Sequence, residues 1–222
     1  MTIQVFRFFF LLSTININRI PLTLCKLFCM LGLKMASDPR WVNVVEKNIE
    51  EILTDHAWCE QKAATNAITL MVKYPHLTDL VDAMVKIANE EITHFGLVHD
   101  IIKKRDYTLG AERKDPYVHD LMKYIRRGGS PSEILVDRLL FAAMIEARSC
   151  ERFKILSQEM NDTELRTFYH DLMISEANHY MTFISLARKH GKDVDVDTKW
   201  NEFLVYEASL MLKYGKSETV HG

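Results

Sequence analysis

Glycine and proline are scarce in this chain, at 8 and 5 of 222 residues, and that scarcity argues against a fold of many short strands joined by tight turns. Cysteine is scarce as well. The four present (Cys25, Cys29, Cys59 and Cys150) make neither a disulfide framework nor the paired C-x-x-C of a zinc knuckle, so reduced thiols in a cytoplasmic protein are expected. An excess of one charge sign is missing: 28 Lys and Arg stand against 30 Asp and Glu, a net of −2, and no overall basic field advertises a nucleic-acid partner. Long apolar runs are missing too. Val5 to Leu12 is interrupted by Arg7, and Ile20 to Leu33 contains Pro21 and Lys26; neither approaches the roughly 20 residues that span a bilayer, so no membrane role is expected. No small-residue cleavage site follows either stretch, which makes a secretory signal a poor fit. There is no Gly-rich phosphate loop, no alternating strand pattern and no low-complexity run.

What is present is 48% apolar and 26% charged residues, the balance of an ordinary globular domain long enough to bury a real core. Residues 1–35 differ from the rest and are expected to be an apolar N-terminal extension, either a start-site artefact or a loose tail. The globular domain is expected over 36–222. It opens with Asp38 as an N-cap and Pro39 in the first helical position, and nothing breaks a helix from there to Tyr74. A second helix is expected from about Thr78 to Arg105. The next 25 residues leave room for one short helix between Pro116 and Arg127. Ser130-Pro131-Ser132-Glu133 is a capping box with proline in the first turn, and it starts a third long helix reaching about Gln158. Asn161-Asp162-Thr163-Glu164 caps a fourth, ending at His190 before Gly191, and a last helix covers roughly Lys199 to Lys213. Two helical hairpins joined by a long crossover, with an extra C-terminal helix, is an all-α, ferritin-like four-helix bundle.

Two copies of Glu-x-x-His stand out, Glu91 with His94 and Glu176 with His179. A separation of three puts carboxylate and imidazole on one helical face, able to grip one ion. Each copy lies in the second helix of a hairpin, and a two-metal carboxylate site also needs a lone Glu from each first helix. Distance from the turns selects it. Glu91 lies 15.5 positions beyond the centre of the Pro75-His76 turn, and the same distance back falls on Glu60. Glu176 lies 15 beyond the second turn near 161, and the same distance back falls on Glu146. Both hairpins thus present carboxylates at one height. Glu151 competes with Glu146 but sits about one and a half turns nearer the loop, and Glu90 points about 100° away from Glu91. Four carboxylates and two imidazoles suit iron or manganese better than zinc. Small residues nearby, including Ala63 and Ala142, would leave room for oxygen or substrate, although ordinary helix packing explains them equally well. His56 is a candidate partner for Glu60, with a satisfied core histidine as the other reading.

The runs Asp55 to Ala64, Glu90 to Phe95, Ile145 to Phe153 and Ser175 to Tyr180 resemble the tRNA 2-methylthio-isopentenyl-adenosine hydroxylases, over about Trp41 to His190. The resemblance implies a non-haem di-iron monooxygenase that hydroxylates the isopentenyl group on the modified adenosine beside the anticodon. It implies two iron ions held by Glu60, Glu91, His94, Glu146, Glu176 and His179, with O2 as co-substrate. The chain has no nucleotide-binding fingerprint, so an external electron donor of reductase or ferredoxin type is expected.

A tRNA partner needs local positive charge. Residues 103–127 carry eight Lys and Arg against four Asp and Glu, and the substrate-binding candidates are Lys103, Lys104, Arg113, Lys114, Arg126 and Arg127, joined by Arg148 and Arg152 beside the carboxylates. Tyr107, Tyr117 and Tyr124 are interleaved and could stack on bases; a merely solvated crossover face is the other reading. A monomer or small homo-oligomer is expected. The competing functions are a ferritin-like iron oxidase or storage subunit and a non-enzymatic helical binding module.

Overall fold

The computed structural model describes residues 31–215 and 219–220; the expected N-terminal extension lies outside the described residues as far as residue 30. Seven α-helices are described: α1 (Val42–Lys47), α2 (Ile49–Lys73), α3 (Thr78–Lys104), α4 (Pro116–Leu121), α5 (Pro131–Glu159), α6 (Thr163–His190) and α7 (Val196–Tyr214). Helix α2 packs along α3 and α5 along α6, which makes the two hairpins, while α7 lies against α4 and α5. This is the ferritin-like bundle with its extra C-terminal helix.

Local chemistry sets most of the boundaries. Ser130 accepts from the Glu133 amide at 3.2 Å while Glu133 accepts from the Ser130 amide at 2.8 Å, the reciprocal bonds of the capping box. Asp162 caps α6 by accepting from the Leu165 amide. Helix α6 stops at Gly191, where a side chain has no room: a Cβ there would lie 2.6 Å from Val136 Cγ2 and 2.7 Å from the Ala187 carbonyl oxygen.

Three boundaries differ from expectation. The stretch from Pro39 to Tyr74 is not one helix: Pro39–Trp41 forms a 3-10 turn, and α1 and α2 are separated at Asn48, whose φ of −134° and ψ of 39° leave the helical region. The Asn48 side chain donates to the Val44 carbonyl at 2.9 Å, an asparagine competing for the backbone as it does at helix ends. The crossover helix stops early, α4 giving way to a 3-10 turn over Met122–Tyr124. The last helix begins earlier than expected because Asp195 accepts from the Thr198 amide and acts as its N-cap.

At the end of the bundle where α5 turns into α6, the core is built from Trp41, Val45, Ile52 and Leu53 against Val98, Ile101 and Ile102, closed by Phe153, Leu156, Leu165, Tyr169 and Leu172. The spacings 98/101/102 and 165/169/172 are single helical faces turned inward. Beside this apolar end, the middle of the bundle buries charge.

Candidate metal centre

One turn from each of the four long helices carries a buried acid to the same level. Glu60 comes from α2, Glu91 and His94 from α3, Glu146 from α5, Glu176 and His179 from α6, and none of the six is more than 9% exposed. Their donor atoms fall into two overlapping groups. Glu60, Glu91, His94 and Glu176 form one, Glu91, Glu146, Glu176 and His179 the other, each with its atoms within 4.8 Å of one another. Glu91 and Glu176 belong to both. His94 Nδ1 lies 3.4 Å from Glu60 and 3.5 Å from Glu91; His179 Nδ1 lies 2.8 Å from Glu91 and 3.9 Å from Glu146. The structure thus brings together all six residues selected from spacing. Glu151, the competitor, points elsewhere and accepts from Ser37 and Arg148.

Outside the cluster, each of two members has a further side-chain contact, one buried and one partly buried. His56, fully buried, holds Glu60 Oε1 at 2.6 Å through Nε2 and stacks on Tyr169. Glu90 leaves the cluster face, yet its carboxylate reaches His179 Nε2 at 2.8 Å. Sequence spacing within α3 cannot find that contact, because it depends on where α6 runs. A carboxylate behind an imidazole fixes its tautomer and ring orientation, as it does around bound metals.

Four carboxylates buried this closely cannot all stay ionised without cations. Burial, then the charge of Glu91, pushes Glu60 up to about 8. Burial likewise pushes Glu146 and Glu176 well above the carboxylate range. Burial works against Glu91 too, but His179 and His94 outweigh it and hold Glu91 low. Burial opposes charge on both imidazoles, yet the surrounding carboxylates raise His94 to about 10 and His179 to about 9. Glu91 Oε1, His94 Nδ1, Glu176 Oε1 and His179 Nδ1 are buried without a hydrogen bond of good geometry. Buried polar atoms are normally satisfied, so a set of orphaned donors converging on one space fits cations in that space. The oxygen-rich donor set suits iron.

A groove of about 790 Å³ runs from the surface to this cluster between α2, the crossover and α5. Cys59, Ala63, Phe141, Ala142 and Ile145 make its walls, Glu146 stands at its inner end, and Lys62, Lys114 and His119 sit along it.

Of the basic candidates, Lys114 alone lines this groove. Lys103 pairs with Asp100, Lys104 with Glu164, Arg113 with Glu51, and Arg126 with Asp137 and Glu133; Arg127 is exposed. Arg148 and Arg152 are both 0% exposed and reach neither groove nor surface. Arg148 is tied to Glu207 at 2.6 Å and Glu151 at 3.0 Å. Two of the tyrosines are also committed elsewhere: Tyr117 is fully buried and donates to Glu207 at 2.9 Å, and Tyr124 stacks on Phe203 at 4.5 Å.

Comparison with known proteins agrees with this geometry. Two relatives carry the name tRNA 2-(methylsulfanyl)-N(6)-isopentenyladenosine(37) hydroxylase. The one from Pseudomonas putida is 38% identical over 156 residues, 70% of this chain and 75% of that protein. The one from Salmonella typhimurium is 28% identical over 222 aligned residues, 79% of this chain and 81% of that protein. Among solved structures, a Synechococcus protein described as having aldehyde deformylating oxygenase activity superimposes with a TM-score of 0.79 at 31% identity, covering 86% of this chain and 95% of its own. The model of the family described as tRNA-(MS[2]IO[6]A)-hydroxylase (MiaE) matches residues 29–222, and with the buried four-carboxylate, two-imidazole cluster at its centre the chain belongs to that family.

Proposed function

We propose that the chain hydroxylates the isopentenyl group of 2-methylthio-isopentenyl-adenosine next to the tRNA anticodon, at a di-iron centre held by Glu60, Glu91, His94, Glu146, Glu176 and His179. The observation that carries this reading is the pair of overlapping donor groups sharing Glu91 and Glu176, in a chain of the hydroxylase family. In this reading Glu60, Glu91, His94 and Glu176 would hold one iron, and Glu91, Glu146, Glu176 and His179 the other. The iron pair, when bound, supplies activation of dioxygen, with electrons from an external donor of reductase or ferredoxin type.

The protein's own residues prepare the site. Glu90 orients His179, and His56 orients Glu60. The packed helices around the cluster confine access to the groove, and low local polarity strengthens every electrostatic contact inside. The groove ending at Glu146 is walled mostly by carbon, which suits a branched hydrocarbon chain entering ahead of its base. In this reading Lys114 along the groove and the exposed Arg127 of the same crossover meet phosphates of the tRNA loop. No helix among the described residues is long and apolar enough to cross a membrane.

Mass spectrometry of tRNA nucleosides from cells with and without the gene tests the reaction. Loss of the hydroxylated nucleoside, with accumulation of its unhydroxylated precursor, is the expected result. An unchanged nucleoside profile would overturn the tRNA assignment, and failure of the purified chain to hold about two irons after anaerobic reconstitution would overturn the metal assignment.

A further inference from the structure

Arg152 is a fully buried cation with no carboxylate oxygen within salt-bridge distance among the described residues. Its guanidinium is nevertheless well supplied with acceptors. Nη1 donates to the carbonyls of Thr219 at 2.7 Å and Val220 at 3.3 Å, and Nη2 to the carbonyl of Gly215 at 3.3 Å. Nε donates to Ser37 Oγ at 3.3 Å, and the group lies 4.2 Å from the centre of the Trp41 ring. Burial, then the neighbouring Arg148, pulls it down to about 10, so it remains a cation at neutral pH. Burying a guanidinium costs free energy unless its donors are met, and here three of its four hydrogen bonds end on the backbone just beyond α7.

The same backbone is held from the other side. Asp55, buried in α2 one position before His56, accepts from the Val220 amide at 2.8 Å. Val220 is therefore fixed by its amide on α2 and its carbonyl on α5. Its side chain is 1% exposed. It walls a small pocket together with His56, Glu60, Glu91, Glu146 and Glu176. That pocket measures about 10 Å³, at the lower limit for a single water.

We infer that Thr219–Val220 is a plug, held by Arg152 and Asp55, that closes the metal centre on the face next to His56. Arg152 and Asp55 are positioning residues: they act on the centre through Val220, and the Val220 isopropyl group limits how much water reaches the ligands there. This rests on the di-iron reading above. The groove that ends at Glu146, which shares Cys59, Ala63, Ile145 and Glu146 with this pocket, is left open by this arrangement.

The test uses the full-length chain loaded with ferrous iron under anaerobic conditions and then mixed with excess of a small coloured iron chelator. The readout is the rate of iron extraction, alongside the melting temperature of each variant. Val220→Gly and Arg152→Met are expected to lose iron at least ten-fold faster than the unaltered chain, and Val220→Ile no faster. Val220→Gly removes no charge and no backbone bond, so it reads the plug even where Arg152→Met fails to fold. Extraction following side-chain size at position 220, at matched melting temperature, separates plugging from general loosening. If the unaltered chain holds two irons and Val220→Gly releases them at the same rate, the plug is overturned and the di-iron reading stands. If the unaltered chain holds no iron, both fall together.

Discussion

Glu90 and Glu91 are neighbours with different tasks. Glu91 faces the cluster and belongs to both donor groups; Glu90 faces outward, is about a third exposed at its side chain, and holds the far nitrogen of His179. Removing the charge of such an outer carboxylate typically weakens metal binding 10–100-fold. Glu90→Gln is therefore expected to weaken iron binding about 10–100-fold while leaving the helical signal unchanged, since a side chain this exposed contributes little to packing. An equilibrium titration of the metal-free chain, followed by circular dichroism on the same sample, measures both. Binding equal to that of the unaltered chain would remove Glu90 from the centre. Arg148 and Glu151 illustrate the opposite outcome at this scale. Two and five positions beyond Glu146 in sequence, they turn away from the cluster and into a buried network with Glu207, Tyr117 and Ser37.

At the scale of elements, the centre depends on four helices keeping their axial positions. The turn near 161 and the turn at Pro75-His76 set those positions within each hairpin, and the α5–α6 pair must also be anchored at its other end. There α6 ends on Gly191 against Val136 of α5. Gly191→Ala places a methyl group where Val136 and the Ala187 carbonyl already stand, so the two helices have to part. Overpacking of this kind costs about 1–3 kcal/mol. For a domain of this size the melting temperature is expected to fall by roughly 2–12 °C, and iron affinity is expected to fall with it because Glu146 and Glu176 lie on the two displaced helices. Thermal unfolding with and without iron checks this; an alanine variant as stable as the unaltered chain would contradict it. Helix boundaries were legible in sequence at the caps Ser130 and Asp162, but not at Asp195, one of three aspartates at 193, 195 and 197, any of which could serve. The break at Asn48 was not, because asparagine is tolerated inside helices and only its bond to the Val44 carbonyl reveals the interruption.

For the whole molecule, the buried cluster is a liability that cations relieve. Glu60, Glu146 and Glu176 are all displaced upward by burial and mutual repulsion, so the metal-free bundle carries protons where metals would sit. A ligand that binds only the folded chain stabilises it by about 2.7 kcal/mol at a free concentration 100 times its dissociation constant. Iron at that level is expected to raise the melting temperature by roughly 5–10 °C, and a chelator to reverse the gain. The Glu60→Ala/Glu146→Ala double variant, which removes one acid from each donor group, is expected to lose most of that metal-dependent shift. Differential scanning calorimetry on the two proteins, each with and without ferrous iron, reads all four values; a shift of equal size in both would show that the stabilising metal binds elsewhere.

The sequence by itself determined the helical hairpins and the inward set of six. Both are local: Glu-x-x-His occupies one helical face whatever surrounds it, and equal distance from a turn puts two residues at equal height in an antiparallel pair. Tertiary structure alone decided what stands behind and around that set. Glu90 meets His179 across 89 positions, Arg152 meets Thr219 across 67, and Val220 meets Asp55 across 165. No periodicity links such residues, so which arginine reaches a surface and which is buried against the backbone beyond α7 follows only from how the helices pack.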